Sequence, residues 1–293
     1  MYLLLLCILS STAIFVIFKT IHRFNIPSFP VIVINYLVAT ILGFVIYNGN
    51  RSLDSILSSR WLIISIIIGI MFIIMFFLVA YCTKKAGLSV TTVASKMSVI
   101  FPIIVSLAID PSDHISLMKS AAIVIALGGL LFTVYKPEKV SPERGIIYIP
   151  LLLFLGMGIV DSMVKLAQQL YVTDQETALF SAILFLNAFL AGSIAILFSR
   201  KHHHYFIRRA VWGWGALLGV VNFGSIFFLV KSLNYTSASG KSMDSSVIFG
   251  ANNISIVALS VLVGLVIFKE KLQVINWIGI GLSALALLLF TLI

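Results

Sequence analysis

Charged side chains are scarce in this sequence of 293 residues, since Asp, Glu, Lys and Arg together make up 10% of it. In a soluble globular domain about a quarter of the residues are charged, so the composition excludes that class. The only two cysteines, Cys7 and Cys82, form no spacing motif, which excludes a disulfide framework or a cysteine metal site. Neither an H-E-x-x-H pattern nor a G-x-x-x-x-G-K-[ST] loop occurs, which excludes the zinc-protease and nucleotide-driven classes that these motifs define.

Long apolar runs are what the sequence has in abundance. Hydrophobic residues make up 60% of the chain and the mean hydropathy is +1.13. About 20 apolar residues are needed to cross the hydrocarbon core of a bilayer as a helix. The runs therefore predict a polytopic membrane protein with ten spans, at approximately 2–22, 29–48, 60–82, 88–109, 115–135, 145–170, 177–199, 210–232, 242–268 and 272–292.

The net charge of +10 comes from basic residues in short loops rather than from a basic domain with interleaved aromatics. This pattern argues against a nucleic-acid partner. Thirteen Lys and Arg residues fall in or beside the loops after the odd-numbered spans, and three (Arg51, Arg60 and Lys119) fall in the opposite loops. Because cytoplasmic loops are enriched in Lys and Arg, we expect a multi-pass protein of the cell (plasma or inner) membrane with both termini extracytoplasmic.

The two halves of the chain resemble each other. Residues 77–101, FLVAYCTKKAGLSVTTVASKMSVIF, and 228–252, FLVKSLNYTSASGKSMDSSVIFGAN, both open with Phe-Leu-Val and pass through a short polar break into the next span. Each half holds five spans, and because five is odd the second half must enter the membrane upside down. The sequence therefore predicts an all-α membrane protein of ten transmembrane helices in two inverted five-helix repeats, 1–140 and 141–293, which is a transporter architecture.

A family resemblance rests on four segments in a fixed order: IFVIFK, VINYLVATILGF, KKAGLSVTTVASKMSVIFPIIVSL and GLVIFKEKLQVINWIGIGLSALALLLF. With these segments the whole chain resembles the drug/metabolite transporter superfamily, in its ten-helix form built from two EamA-type repeats. Pro102 and the Glu270–Lys271 pair fit the family pattern. The first half has DPSDH where a Glu-Lys-type turn is usual, and Asn35 stands where many relatives have Arg. The resemblance implies export or exchange of small metabolites.

Lys96 lies inside an apolar span, where a charged side chain is costly. On a helix, Ser89, Thr92, Ser95 and Lys96 share an arc of about 120°. Lys96 lies about 12 Å from the start of the span, at 1.5 Å per residue. Two interpretations are open: Lys96 reaches the headgroups or pairs with another helix, or it attracts an anionic substrate into a cavity with Ser95 and Thr92 beside it.

The ninth span carries a polar stripe of Asp244, Ser245, Asn252 and Ser255 within an arc of about 100°. Buried amides and carboxylates need partners inside a membrane, so we expect this face to look into protein or water. Asn252 and Ser255 are candidate substrate ligands. Asp244 either caps the start of the helix and pairs with Lys241, or it is a protonatable coupling residue.

Other spans supply further candidates. Asp161 and Lys165 are spaced i, i+4, which predicts an intrahelical ion pair that is either structural or part of a proton relay. Each asparagine of the second, seventh and eighth spans either bonds to a neighbouring helix or contributes to substrate binding. The lysine that closes the first span is a further candidate for substrate binding. The four candidates are Lys19, Asn35, Asn187 and Asn222.

The expected function is secondary transport of a small polar or anionic metabolite by alternating access, as an exporter or exchanger. Lys96 would attract the negative end of the substrate, and the amides of the ninth span would hydrogen-bond it. We expect a substrate, the lipid bilayer and a coupling proton as partners, with no cofactor and no enzymatic activity. The alternatives are a membrane-embedded enzyme, for which the sequence shows no nucleophile, metal or paired-carboxylate signature, and a non-transporting membrane scaffold.

Overall fold

The computed structural model describes residues 2–49, 56–59, 61–109, 117–134, 148–198, 205–233 and 245–291, and these contain no β-strand. They form eleven α-helices of ten residues or more: α1 Tyr2–Arg23, α2 Ser28–Ile46, α3 Trp61–Ala86, α4 Leu88–Met97, α5 Ile100–Ile109, α6 Leu117–Val134, α7 Tyr148–Leu170, α8 Thr177–Phe198, α9 Arg209–Leu233, α10 Ser245–Val266 and α11 Val274–Thr291.

Six of these helices (α1, α2, α3, α7, α8 and α9) are long and apolar enough to cross a membrane. Four further apolar helical stretches are shorter over the described residues: Leu88–Pro102, Ser120–Thr133, Ala251–Val266 and Val274–Ala286. The architecture is therefore all-helical and compatible with a membrane-embedded protein. The helices begin and end within a few residues of the predicted spans.

The predicted span 88–109 differs from the structure, because it is divided into α4 and α5 by a turn at Ser98 and Val99. Proline lacks the N–H that would bond to the carbonyl four residues earlier, and its ring crowds that carbonyl. For Pro102 this carbonyl belongs to Ser98. Hydrogen bonds between residues three positions apart replace the helical bonds between residues four positions apart. They run from Val99 N to Lys96 O at 3.3 Å and from Phe101 N to Ser98 O at 3.0 Å.

The chain divides into two compact units. Unit 1 comprises Met1–Ala80 and Met163–Tyr235, and unit 2 comprises Tyr81–Ser162 and Thr236–Ile293. Two of the three divisions fall inside α3 and α7, and the third falls between α9 and α10. Each unit therefore combines a segment of the predicted first half (1–140) with a segment of the second (141–293).

Unit 1 is organised around α2, which packs against α8 and α9, and α9 also packs against α1. Gly219 allows the close approach of α9 to α2, because a Cβ at this position would lie 2.7 Å from the Asn35 carbonyl oxygen. Tyr36 lies at the centre of an aromatic cluster, with its ring centroid 6.4, 5.5 and 6.1 Å from those of Phe72, Phe76 and Phe185. Each such aromatic pair contributes about 0.5–1.5 kcal/mol beyond its buried area.

Unit 2 is built on the contact between α6 and α11, and α10 packs against both α11 and α4. A Cβ on Gly129 would lie 2.7 Å from Ser283 N, so α6 and α11 approach closely because this residue is glycine. Asn276 joins the ends of the same two helices. Its amide donates to the Thr133 carbonyl at 2.9 Å, and its oxygen accepts from Gln273 N at 3.1 Å.

Candidate functional site

Lys96, Ser98 and Asp161 form a polar cluster within unit 2, called here the charge cluster. Lys96 lies in the last turn of α4, and Ser98 lies in the break that follows. The Ser98 hydroxyl donates to Asp161 Oδ2 at 3.1 Å. The Lys96 ammonium and the Asp161 carboxylate interact electrostatically. The helix break thus brings a cation, a hydroxyl and a carboxylate together among apolar helices.

Asp161 is the unusual member of this cluster. It lies past the middle of α7, within the apolar span Tyr148–Ala167, and its side chain is half-buried rather than enclosed. A carboxylate in such a span is costly, and such residues face the bundle interior or a water-filled cavity and mark functional pathways. The position and partial exposure of Asp161 make the charge cluster the candidate site.

The polar face predicted on the fourth span has mixed roles in α4. Ser89 is bonded to another part of unit 2, as described below. Thr92 donates to the Leu88 carbonyl of its own helix at 3.0 Å. Ser95 is fully buried, and its hydroxyl has no hydrogen-bond partner among the described residues. Of the predicted face, Lys96 and Ser95 therefore remain as groups able to receive a ligand.

The stripe predicted on the ninth span lies on α10. Asn252 is buried, and its Oδ1 atom has no partner in the described part of the chain. Ser255 is half-buried. Asp244 lies outside the described residues, so its predicted capping or coupling role stays a prediction. Because α10 packs against α4, Asn252 belongs to the same helix pair as Ser95 and Lys96.

Buried polar atoms without partners are concentrated in unit 2. Such an atom costs about 1–3 kcal/mol unless it is paired, so each one calls for a partner from water or a ligand. Within the described ranges, the side-chain oxygens of this kind in unit 2 belong to Ser95, Ser162, Asn252, Ser260 and Ser283. Ser162 directly follows Asp161 and Ser95 directly precedes Lys96, so two of the five flank the charge cluster in sequence.

Glu270 holds the beginning of α4, a role that the sequence did not reveal. Its carboxylate accepts hydrogen bonds from Leu88 N at 2.6 Å, from Ser89 N at 3.1 Å and from the Ser89 hydroxyl at 2.8 Å. The first amides of a helix lack internal partners, and a carboxylate there also complements the helix dipole. Gly87, the residue before α4, has φ of 98°, a conformation that glycine adopts without strain.

The asparagines of unit 1 bond to neighbouring helices. Asn222 on α9 donates to Asn35 Oδ1 on α2 at 3.0 Å, and Asn35 donates to the Ile32 carbonyl at 3.2 Å. Asn187 on α8 donates to the Ser65 hydroxyl on α3 at 3.2 Å. These amides therefore hold helices of unit 1 together, and their predicted contribution to substrate binding stays a prediction.

The two remaining predicted lysines also belong to unit 1. Lys19 is half-buried near the end of α1, and Lys165 is buried on α7. The predicted intrahelical pairing of Asp161 with Lys165 stays a prediction. The charged side chain that acts on Asp161 in the structure is Lys96, 65 positions earlier in the chain.

No group of three or more His, Cys, Asp or Glu side chains that could hold a metal ion occurs among the described residues. No protein-family model matches the chain. A protein of Haemophilus influenzae described as uncharacterized is 26% identical over an alignment of 299 positions, which covers 98% of this chain and 96% of the relative. A solved crystal structure covers 98% of both chains with a TM-score of 0.58 and 14% identity, a likeness that shows the fold alone.

Proposed function

We propose that the protein is a secondary transporter that moves a small polar or anionic metabolite across the cell membrane by alternating access. The proposal includes ten transmembrane helices in two inverted five-helix repeats and both termini on the extracytoplasmic side. It also includes membership of the drug/metabolite transporter superfamily, which the sequence resembles.

The observation that carries the proposal is the charge cluster. A half-buried lysine and a half-buried aspartate meet at a break in an apolar helix. Transporters commonly form their substrate sites at interrupted helices within the membrane, where freed backbone and polar side chains meet the substrate. The unpartnered oxygens of Ser95 and Asn252, on the packed pair α4 and α10, add hydrogen-bonding groups that a polar substrate would satisfy.

The division into units agrees with the proposed repeat. Residues 77–79 and 228–230 are the matching Phe-Leu-Val segments of the two halves. The chain passes from unit 1 to unit 2 shortly after each of them, at Ala80 and at Tyr235. In each half, the chain therefore passes from unit 1 to unit 2 shortly after its Phe-Leu-Val segment. This agreement supports two repeats with the same order of helices.

A thermal-shift screen on purified protein tests the proposal. The panel contains amino acids, nucleobases, sugar phosphates and small organic acids, applied to wild type, Lys96→Ala and Lys271→Ala. A ligand at a hundred times its Kd stabilises the native state by about 2.7 kcal/mol. We expect a group of polar or anionic compounds to stabilise wild type and Lys271→Ala but not Lys96→Ala. Lys271 is exposed outside the helices and serves as the matched control.

Counterflow of the stabilising compound in proteoliposomes then distinguishes transport from binding. A transporter accumulates labelled compound when the vesicle interior holds an excess of the unlabelled form. Binding without counterflow would contradict the transport proposal. If a compound stabilised wild type and Lys96→Ala equally, the substrate site would lie outside the charge cluster.

A further inference from the structure

The charges of Lys96 and Asp161 balance each other in a part of unit 2 that is otherwise nearly free of titratable groups. Helices α5, α10 and α11 contain no titratable residue, α4 contains Lys96, and α6 contains Lys119, which lies close to its start. The other titratable residues of unit 2 within the described ranges lie at helix ends or in connections: Tyr81, Cys82, Lys84, Lys85, Tyr148, Lys269, Glu270 and Lys271. On α7 the buried Lys165 lies one turn beyond Asp161, and the charged side chain that acts on Asp161 is Lys96. A change of charge on Lys96 or Asp161 is therefore compensated most directly within the charge cluster.

Ser98 allows Asp161 to change its protonation state. The Ser98 hydroxyl has a single hydrogen and two acceptors within reach, the Ser95 carbonyl at 2.5 Å and Asp161 Oδ2 at 3.1 Å. A hydroxyl that already lies close to a backbone carbonyl can donate fully to it when the carboxylate takes up a proton. When Asp161 is protonated, the Ser98 hydroxyl therefore still donates a hydrogen bond, to the Ser95 carbonyl.

An anion that binds Lys96 has to displace Asp161 as its counter-ion. If Asp161 stayed ionised, two negative groups would share one ammonium in apolar surroundings, and like charges close together disfavour double ionisation. If Asp161 takes up a proton, the site holds one cation, one anion and one neutral acid, and its net charge is the same as before binding. Apolar surroundings strongly favour the neutral arrangement.

We propose that the site loads an anionic substrate together with one proton. The substrate anion replaces Asp161 as the partner of the Lys96 ammonium, and the Asp161 carboxylate forms an O–H bond with a proton from water. The proton comes from a hydronium ion, which loses one O–H bond and becomes a water molecule; no other bond forms or breaks, and nothing is oxidised or reduced. The inference rests on the proposed transport function, and it makes the translocation of a monoanion electroneutral, with the proton moving in the same direction as the substrate.

Infrared spectroscopy of the full-length protein without any ligand tests the charge exchange directly. The carbonyl stretch of a protonated carboxylic acid is distinct from the stretches of a carboxylate. At neutral pH we expect no such band from Asp161 in wild type or in Lys96→Arg, which keeps the charge. The band should appear in Lys96→Gln and be lost in Lys96→Gln/Asp161→Asn. A wild-type band that Asp161→Asn removes, or no band in Lys96→Gln, would overturn the proposal.

Proton uptake on ligand binding tests the co-loading. Lactate, pyruvate and the other monoanions of the panel are added to weakly buffered protein that contains a pH indicator. For each anion that stabilises wild type, one proton should be taken up per anion bound, and Asp161→Asn should take up none. Binding without uptake contradicts co-loading, even if transport is established by counterflow.

The two proposals fail in different ways. If no panel compound binds, the transport proposal fails and co-loading falls with it, whereas the infrared bands still show whether Lys96 keeps Asp161 ionised. If anions bind and are transported without proton uptake, the transport proposal stands and co-loading alone is wrong.

Discussion

In unit 1, the buried amides of Asn35 and Asn222 bond to each other, and the Tyr36 hydroxyl donates to the Phe72 carbonyl at 2.8 Å. In unit 2, five buried side-chain oxygens have no partner among the described residues, compared with one in unit 1, on Thr12. Since an unsatisfied buried polar group lowers stability, the contrast indicates that polar groups of unit 1 hold helices together. The five unpartnered oxygens of unit 2 are kept at a cost that ligand binding would explain.

The largest expected effect comes from separating the charges of the charge cluster. Lys96→Met leaves Asp161 among apolar helices without its counter-charge, and Asp161→Asn removes the anion that faces Lys96. Each single change should lower the free energy of unfolding by about 3 kcal/mol. The double variant should lose clearly less than the sum of the two, as expected for coupled residues. Denaturant unfolding in detergent measures this, and additive losses would contradict the pairing.

The next effect concerns the Glu270 contact with α4. Glu270→Ala leaves the first amides of α4 without their acceptor, and we expect a loss of about 2 kcal/mol. Glu270→Gln keeps one acceptor oxygen instead of two and should lose less, as should Ser89→Ala, which removes one hydrogen bond. Hydrogen exchange at Leu88 and Ser89 should accelerate most in Glu270→Ala. Unchanged exchange there would refute the capping role.

A smaller loss is expected in unit 1 from Asn222→Ala. The change leaves Asn35 Oδ1 buried without its donor, which costs about 1–2 kcal/mol. Because this pair lies in unit 1, the folded variant should keep the wild-type stabilisation by panel compounds, measured as the shift in Tm on ligand addition. If Asn222→Ala keeps the wild-type stability but no longer shows the shift in Tm on ligand addition, the asparagine pair belongs to the binding site. The polar groups of the two units would then not differ in role.

The smallest effect, and the one of opposite sign, is expected for Ser95→Ala. Removing a buried hydroxyl without a described partner should leave the ligand-free stability unchanged or raise it by up to about 1 kcal/mol, while the stabilisation by ligand decreases. The matched control is Ser181→Ala in unit 1, since the equally buried Ser181 hydroxyl donates to Thr177 O at 2.8 Å. Ser181→Ala should lower stability and leave the ligand response unchanged.

The helices of the fold could be predicted from the sequence because the length of an apolar run and the polar residues that interrupt it are local properties. The position of the helix break also has a local cause, because the ring of Pro102 crowds the carbonyl four residues earlier, which belongs to Ser98. The grouping of helices into units could not be predicted, since apolar faces carry little information about which helix they contact.

The candidate site was only partly predictable for the same reason. Lys96 and Asp161 each stood out as charges within apolar runs, but their interaction joins residues that lie 65 positions apart in the chain. Glu270 appeared as part of a turn motif, and nothing in its sequence neighbourhood points to the amides of α4. For Asn35 and Asn222 the sequence left two interpretations open, and the structure shows that they bond to each other between α9 and α2.

The cap on α4 has a consequence during synthesis. Glu270 follows Leu88 by 182 positions and Ser89 by 181. At about 5–20 residues per second, α4 is made roughly 10–40 seconds before the residue that accepts its first hydrogen bonds. Water, headgroups or the insertion machinery must satisfy these amides in the meantime. A chain that stops before Glu270 keeps an open helix end, so a residue made after α10 completes a helix from the first half of the sequence.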